Sequence, residues 1–170
     1  MRLTYSEKGE KMNYIYRQIT KNEFDKLHRL FPDNEQMWSK YRNMRMREFD
    51  NKEIDVYVIE LNDTFIGELT VNYVSHDLTS ETIPGKRVYL QAFRVDKEHQ
   101  GAGAGQELMK FVLSDLEQRG YTEFTIGVED DNETAKHIYF KLGFTEAIDK
   151  GYGDELDPSD YTLYLRRVFK

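Results

Sequence analysis

Between an apolar stretch, Val88 to Val95, and an amphipathic one that runs to Arg119 lies Gln100-Gly101-Ala102-Gly103-Ala104-Gly105. Leu108, Met109, Val112, Leu113 and Leu116 form one stripe of a helix, and Gly120 sits where a helix C′ glycine belongs. The alternating glycines therefore fall at a strand-loop-helix turn. Backbone amides left bare there, together with the positive end of the helix dipole, make a seat for a phosphate. A side chain at any of the three glycines would hold an anion away from the amides. By itself the cluster supports either that seat or an unliganded flexible loop. A P-loop requires Gly-Lys-Ser/Thr, whereas Gly105 is followed by Gln106. The dinucleotide fingerprint requires a glycine at 106 and starts directly after its strand, whereas Asp96 to Gln100 intervene here.

The flanking sequence reads as one continuous pattern. Ile15 to Ile19 predicts a first strand, and Thr20 with Glu23 a capping box. The short helix that follows has Leu27, Leu30 and Phe31 on its apolar side and ends at Pro32. A second helix is predicted from about Asn34 to Phe49, with Met37, Tyr41 and Met44 at helical spacing and its Lys and Arg residues as a solvated face. Ile54 to Glu60 and Phe65 to Val74 predict a hairpin turning at Asn62-Asp63. Ser75 to Lys86, containing Pro84-Gly85, reads as loop. Glu123 to Val128 is a further strand, and Asn132 caps a helix carrying Ala135, Ile138, Tyr139 and Leu142 that closes at Gly143. Two strands follow, near Phe144 to Ile148 and Tyr161 to Val168. The order β-α-α-β-β-β-α-β-α-β-β implies an α/β fold with a sheet of mixed direction and helices on both faces.

The polar stretch Met1 to Lys11 reads as a disordered leader, with Met12 an alternative start and 12–170 a single domain. No cysteine is present, which excludes disulfides, thiolate metal sites and cysteine nucleophiles and fits a cytoplasmic setting. The formal charge of −7 argues against a general nucleic-acid partner. No apolar run approaches the roughly 18 residues of a membrane span. His76, His99 and His137 show no metal-ligand spacing.

The glycine loop matches the Gln/Arg-x-x-Gly-x-Gly/Ala motif of the GCN5-related N-acetyltransferases (GNAT). Phe93-Arg94-Val95 resembles that family's splayed, pantetheine-binding strand end. Asn132 to Phe144 resembles its Asn-x-x-Ala-x-x-x-Tyr-x-x-x-Gly-Phe segment. The resemblance is strongest over about residues 88 to 148. It implies a mixed, mostly antiparallel sheet flanked by helices on both faces. It also implies acetyl-CoA as co-substrate, no metal, and attack of a neutral amine on the thioester through a tetrahedral oxyanion. By the same resemblance Phe93, Arg94 and Val95 pair with pantetheine, and a backbone N–H there polarises the carbonyl. Gln100, Gly101, Ala102, Gly103, Ala104 and Gly105 take the pyrophosphate, and Asn132 helps position CoA.

Tyr139 is the candidate general acid for the departing thiolate; as part of a helical stripe it also suits plain packing. Relatives often place a carboxylate where this chain has Gln91. Glu68, on the preceding strand, is then the candidate base, with a solvent-facing strand charge, a water relay or an amine already neutral as competing readings. The acceptor pocket is expected from the first two helices, the Ser75 to Lys86 loop and the late strands. Asp77, Glu81, Asp149, Asp154, Glu155 and Asp157 lie in such segments and suit either a cationic acceptor or simple solvation. An acyl-CoA-binding sensor without catalysis is the alternative reading, and homodimers are common in the family.

Overall fold

The computed structural model describes residues 4–5, 11–31, 34–153 and 158–169. Two short strands, β1 (Thr4–Tyr5) and β2 (Lys11–Met12), pair antiparallel within and beside the predicted leader, whose other residues lie outside the described ones. Then come β3 (Ile15–Gln18), a 3₁₀ helix (Lys21–Leu30), α1 (Glu35–Asp50), β4 (Ile54–Leu61), β5 (Thr64–Asn72) and β6 (Arg87–Val95). A second 3₁₀ turn (Lys97–His99) leads to α2 (Ala104–Gln118), β7 (Glu123–Glu129), α3 (Glu133–Lys141), β8 (Glu146–Gly151) and β9 (Tyr161–Arg167). Seven strands hydrogen-bond in the order β3-β4-β5-β6-β7-β9-β8. The pair β6–β7 is parallel, while β3–β4, β7–β9 and β8–β9 are antiparallel, so the sheet is mixed and mostly antiparallel as expected. Contacts cluster into two compact units, 1–70 with 92–115 and 71–91 with 116–170, and β5, β6 and α2 each contribute to both.

In the first unit, local sequence sets the elements closely. Asn62 and Asp63 both adopt positive φ (49° and 60°), the two-residue turn that suits right-twisted hairpin strands. The first helix is 3₁₀ rather than α. Phe24, Leu27 and Leu30 recur every third residue, which aligns them on one face at three residues per turn. Its predicted stop at Pro32 lies outside the described residues. Phe24 and Leu27 pack with Trp38, Tyr41, Val56, Val58 and Phe65.

The structure corrects the inward face of α1. Trp38, Tyr41, Arg45 and Glu48 are buried, whereas Met37 and Met44 are 43% and 40% exposed. The sequence spacing fits either stripe, and aromatic area decides between them. Phe31 meets Tyr41 at 4.5 Å and Trp38 at 5.3 Å between ring centroids, burying more apolar surface than two methionines would. Arg45 is not on a solvated face; it donates to Glu48 at 2.9 Å.

The second unit is built on Val88, Leu90, Phe124, Ile126, Val128, Phe144, Leu163 and Leu165, all buried. Buried Glu123 is neutralised by Arg87 at 2.6 Å and Arg167 at 2.6 Å. The C-terminus of α2 is a Schellman ending, with Gly120 at φ 97° and Tyr121 N–H donating to the Leu116 carbonyl at 3.1 Å.

The entry to the first helix supplies a pH test. Glu23 accepts from Arg17 (2.9 and 2.6 Å) and from the Thr20 amide (2.9 Å), and the Arg17 bonds chiefly hold its carboxyl down at about 2. A depressed carboxylate contributes stability that is present above its unfolded value and is lost as pH falls toward the folded one. Urea midpoints measured from pH 5 to pH 2 should therefore fall more steeply in the wild type than in Glu23→Gln. Parallel slopes would show that this pair carries none of the acid lability.

Candidate functional site

The glycine loop begins from a fixed strand end. Gln100 turns back so that its amide nitrogen donates to the Val95 carbonyl at 2.7 Å, closing the turn. Gly101 and Gly103 adopt φ of 82° and 84°, a region costly for any residue with a Cβ. Gly105 is required for another reason. A Cβ there would lie 3.0 Å from both the Phe93 ring and a Val95 methyl, so its absence lets the start of α2 close onto β6. At this end of α2 the Glu107 N–H donates to the Gly103 carbonyl at 3.1 Å. The amides of residues 104 to 106 precede it and have no acceptor within the helix. Concave backbone, first-turn amides and helix dipole converge here, the arrangement that suits a pyrophosphate.

The strand leading into the loop is irregular. The β6–β7 register covers Arg87↔Glu123 through Leu90↔Ile126. Two residues later Ala92 adopts φ 53°, a left-handed conformation without a glycine to ease it. Beyond it, Arg94 is pinned. Its Nε lies 2.8 Å from Glu68 Oε1, and its guanidinium sits 4.3 Å from the centre of the Phe31 ring. Glu68 is 0% exposed and accepts a 2.9 Å hydrogen bond from the Tyr41 hydroxyl. The Arg94 contact is off line for a hydrogen bond, so Oε1 accepts none. Burial raises the Glu68 pKa on balance, against the opposing pull of Arg94, Tyr41 and Arg45. Glu68 is thus no solvent-facing strand charge but a buried counter-ion that orients Arg94.

In the second unit, Asn132 caps α3 as expected, accepting from the Ala135 amide at 3.0 Å. Gly143, at φ 93°, ends the helix in a second Schellman motif, with Phe144 N–H donating to the Tyr139 carbonyl at 3.0 Å. The Tyr139 and Phe144 rings meet edge-on at 6.2 Å, the apolar contact that accompanies this ending. The Tyr-x-x-x-Gly-Phe pattern therefore has a structural reason of its own: it orients Tyr139. The tyrosine is partly buried, and desolvation pushes its hydroxyl up to about 12, so it keeps its proton at neutral pH.

The same unit holds a cavity of about 600 Å³. Its rim starts in the loop after β5, which is tied into a knot. Glu81, buried, accepts from the amides of His76 (3.0 Å) and Leu78 (3.3 Å), and the Thr125 hydroxyl donates to the Glu81 carbonyl at 2.7 Å. Glu81 is therefore a loop staple and not an acceptor-facing charge, whereas Asp77 lines the cavity. Asp149 accepts from the Ser80 hydroxyl and the Lys150 amide. Asp154, Glu155 and Asp157 lie outside the described residues. Gln91, the last β6 residue before Ala92, also lines the cavity, as do Tyr89, Glu129, Tyr152 and Tyr161. These four carry no motif in the sequence beyond the acidic run from Glu129 to Asp131. Among the described residues no group of three or more His, Asp or Glu could hold a metal ion. No helix among them is long and apolar enough to cross a membrane.

Residues 18–144 match the family model of the acetyltransferase (GNAT) family. The chain is 30% identical to N-alpha-acetyltransferase 30 of Schizosaccharomyces pombe over 61% of its own length and 67% of that protein's. It is 31% identical to a thialysine N-epsilon-acetyltransferase of Mus musculus, over 45% of each chain, so it spans about half of that relative. A GNAT family acetyltransferase of Elizabethkingia anophelis, solved with acetyl-CoA bound, aligns with a TM-score of 0.65 at 16% identity. That alignment covers 92% of this chain and 99% of the other.

Ala92 offers a direct check on the β6 irregularity. Ala92→Gly removes a left-handed strain of about 1 kcal/mol and should leave stability equal or raised. Ala92→Val adds a branched Cβ at the same φ and should cost about 1–3 kcal/mol. Urea unfolding of both variants reads the difference; equal stabilities would mean the backbone here is unstrained.

Proposed function

The chain belongs to the acetyltransferase (GNAT) family, and from that premise we propose that it transfers the acetyl group of acetyl-CoA to an acceptor amine. The observation that carries the reading is the glycine loop. Two left-handed glycines and a third that lets α2 close onto β6 expose amides in the part of the chain matched to the family.

In this reading the loop from Gln100 to Gly105 holds the pyrophosphate. Phe93, Arg94 and Val95 offer strand backbone to the pantetheine arm, and Glu68 keeps Arg94, and with it that strand end, in place. Asn132 has its carbonyl oxygen committed to capping α3, which leaves its amide nitrogen for the cofactor. Bound acetyl-CoA supplies the activated thioester. The acceptor nitrogen forms the new N–C bond as the C–S bond breaks; the nitrogen gives up one proton, and the sulfur gains one. Tyr139, which stays protonated to about pH 12, is the donor of that proton.

Two measurements test this. Calorimetric titration should show acetyl-CoA binding; no binding would overturn both transfer and an acyl-CoA-sensing role. In a thiol-release assay, Tyr139→Phe should lower kcat by about 10²-fold, the usual worth of a positioned acid. Undiminished turnover would remove Tyr139 from the mechanism. Because burial holds the hydroxyl proton so firmly, loss of that proton should not lower wild-type kcat below about pH 10. Glu68→Gln addresses the base. A pH–kcat/KM profile that keeps its acid limb in this variant excludes Glu68 as proton acceptor and leaves it the positioning role.

A further inference from the structure

The cavity of the second unit is chemically one-sided. Tyr89, Tyr152 and Tyr161 supply aromatic surface, Asp77 and Glu129 supply carboxylates, and among the described residues His76 lines it but no lysine or arginine does. Neither carboxylate has an ion-pair partner among the described residues. The aromatic side is built into the sheet. A Cβ on Gly127 would come within 2.9 Å of the Tyr161 ring and 3.1 Å of the Tyr89 hydroxyl, and one on Gly151 within 2.0 Å of the Tyr161 ring. Two glycines on the strands either side of β9 thus make room for the one ring. Tyr152, 75% exposed, stands at the mouth.

Carboxylates beside phenol faces select for an organic cation, since the ring quadrupole and the anionic charge act in the same sense. A carboxylate-bearing acceptor meets repulsion instead. Yet an amine that attacks a thioester has to be neutral. The group the carboxylates hold is therefore a different one from the group that reacts. A cavity of about 600 Å³ is the size of a small-molecule site. Gln91, which lines it, is followed along β6 by Ala92 and then by the strand end assigned to pantetheine.

We propose that the acceptor is a small dicationic amine: one nitrogen reacts, and a second, protonated nitrogen a few methylenes away is held by Glu129 and Asp77 among the tyrosine rings. This rests on the acetyl-transfer reading and adds to it the acceptor class and the residues that choose it.

The test compares 1,5-diaminopentane, pentylamine and 5-aminopentanoate as acceptors in the thiol-release assay. The wild type should favour the diamine over pentylamine by at least about tenfold in kcat/KM, beyond the factor of two for its second amine. It should disfavour the aminocarboxylate further still. In the Asp77→Asn, Glu129→Gln double variant the diamine-to-monoamine ratio should fall by at least about tenfold. Both positions are exposed, and circular dichroism is the check that the variant is folded. A ratio near two in the wild type, a ratio indifferent to the substitutions, or a preference for an uncharged peptide N-terminus overturns the proposal while leaving acetyl transfer standing. If none of the three releases thiol, acetyl-CoA titration still decides the transfer reading, and calorimetry with 1,5-diaminopentane alone decides the site. Binding that the double variant loses supports it, and absence of binding overturns it.

Discussion

Strand β6 has two tasks along nine residues. Its first half, to Leu90, is an interior parallel strand paired with β7; its second half carries Phe93 to Val95 and delivers the chain into the glycine loop. A regular strand would continue its first pairing to the end. The left-handed residue Ala92 breaks that regularity. Its strain, about 1 kcal/mol, is small against the strand pairing that precedes it and the Arg94 contacts that follow it. Everything assigned to the cofactor in the first unit lies C-terminal to this residue, and the cavity lining contributed by β6 lies N-terminal to it.

Strain of this kind persists only where neighbours over-determine the backbone, and buried polar groups do so here. Beyond Ala92, Arg94 is held by Glu68 on one side and by the Phe31 ring on another. Before it, Arg87 is held by Glu123, which also binds Arg167. Each carboxylate is costly to bury alone; removing Arg94 would strip Glu68 of its ion-pair partner at a cost of about 3–5 kcal/mol, whereas Glu123 would keep a second arginine. These pairs add little net stability over apolar packing. They add a requirement that strand, helix and loop meet in one arrangement. Glu81 acts likewise in the loop after β5, where backbone amides, those of His76 and Leu78 among them, satisfy it.

The groups to which the proposals give chemical roles show the same economy, because each also has a structural role. Tyr139 is the helix residue whose carbonyl closes the Schellman ending and whose ring meets Phe144. That double anchorage restricts the phenol, and partial burial keeps its proton. Gly105 opens the amides of α2 and also lets the helix approach Phe93 and Val95. Tyr161 fills space left by Gly127 and Gly151 and presents the same ring to the cavity.

What the sequence determined by itself is what neighbours along the chain decide. The turn at Asn62-Asp63, the cap at Asn132, the stops at Gly120 and Gly143, the stripe on α2 and the glycine loop depend on φ preferences and on spacings of a few residues. All of them fold as read. Where two patterns compete locally, the chain alone left the outcome open. The 3₁₀ period of the first helix and the aromatic face of α1 were settled by which surface buries more area against β4 and β5. Only tertiary structure turned Glu68 and Glu81 inward, because a carboxylate's burial depends on an arginine, a tyrosine or an amide brought to it by folding. It alone assembled the cavity too, gathering Asp77, Gln91, Glu129 and Tyr161 from four separate segments that share no spacing a linear reading can detect.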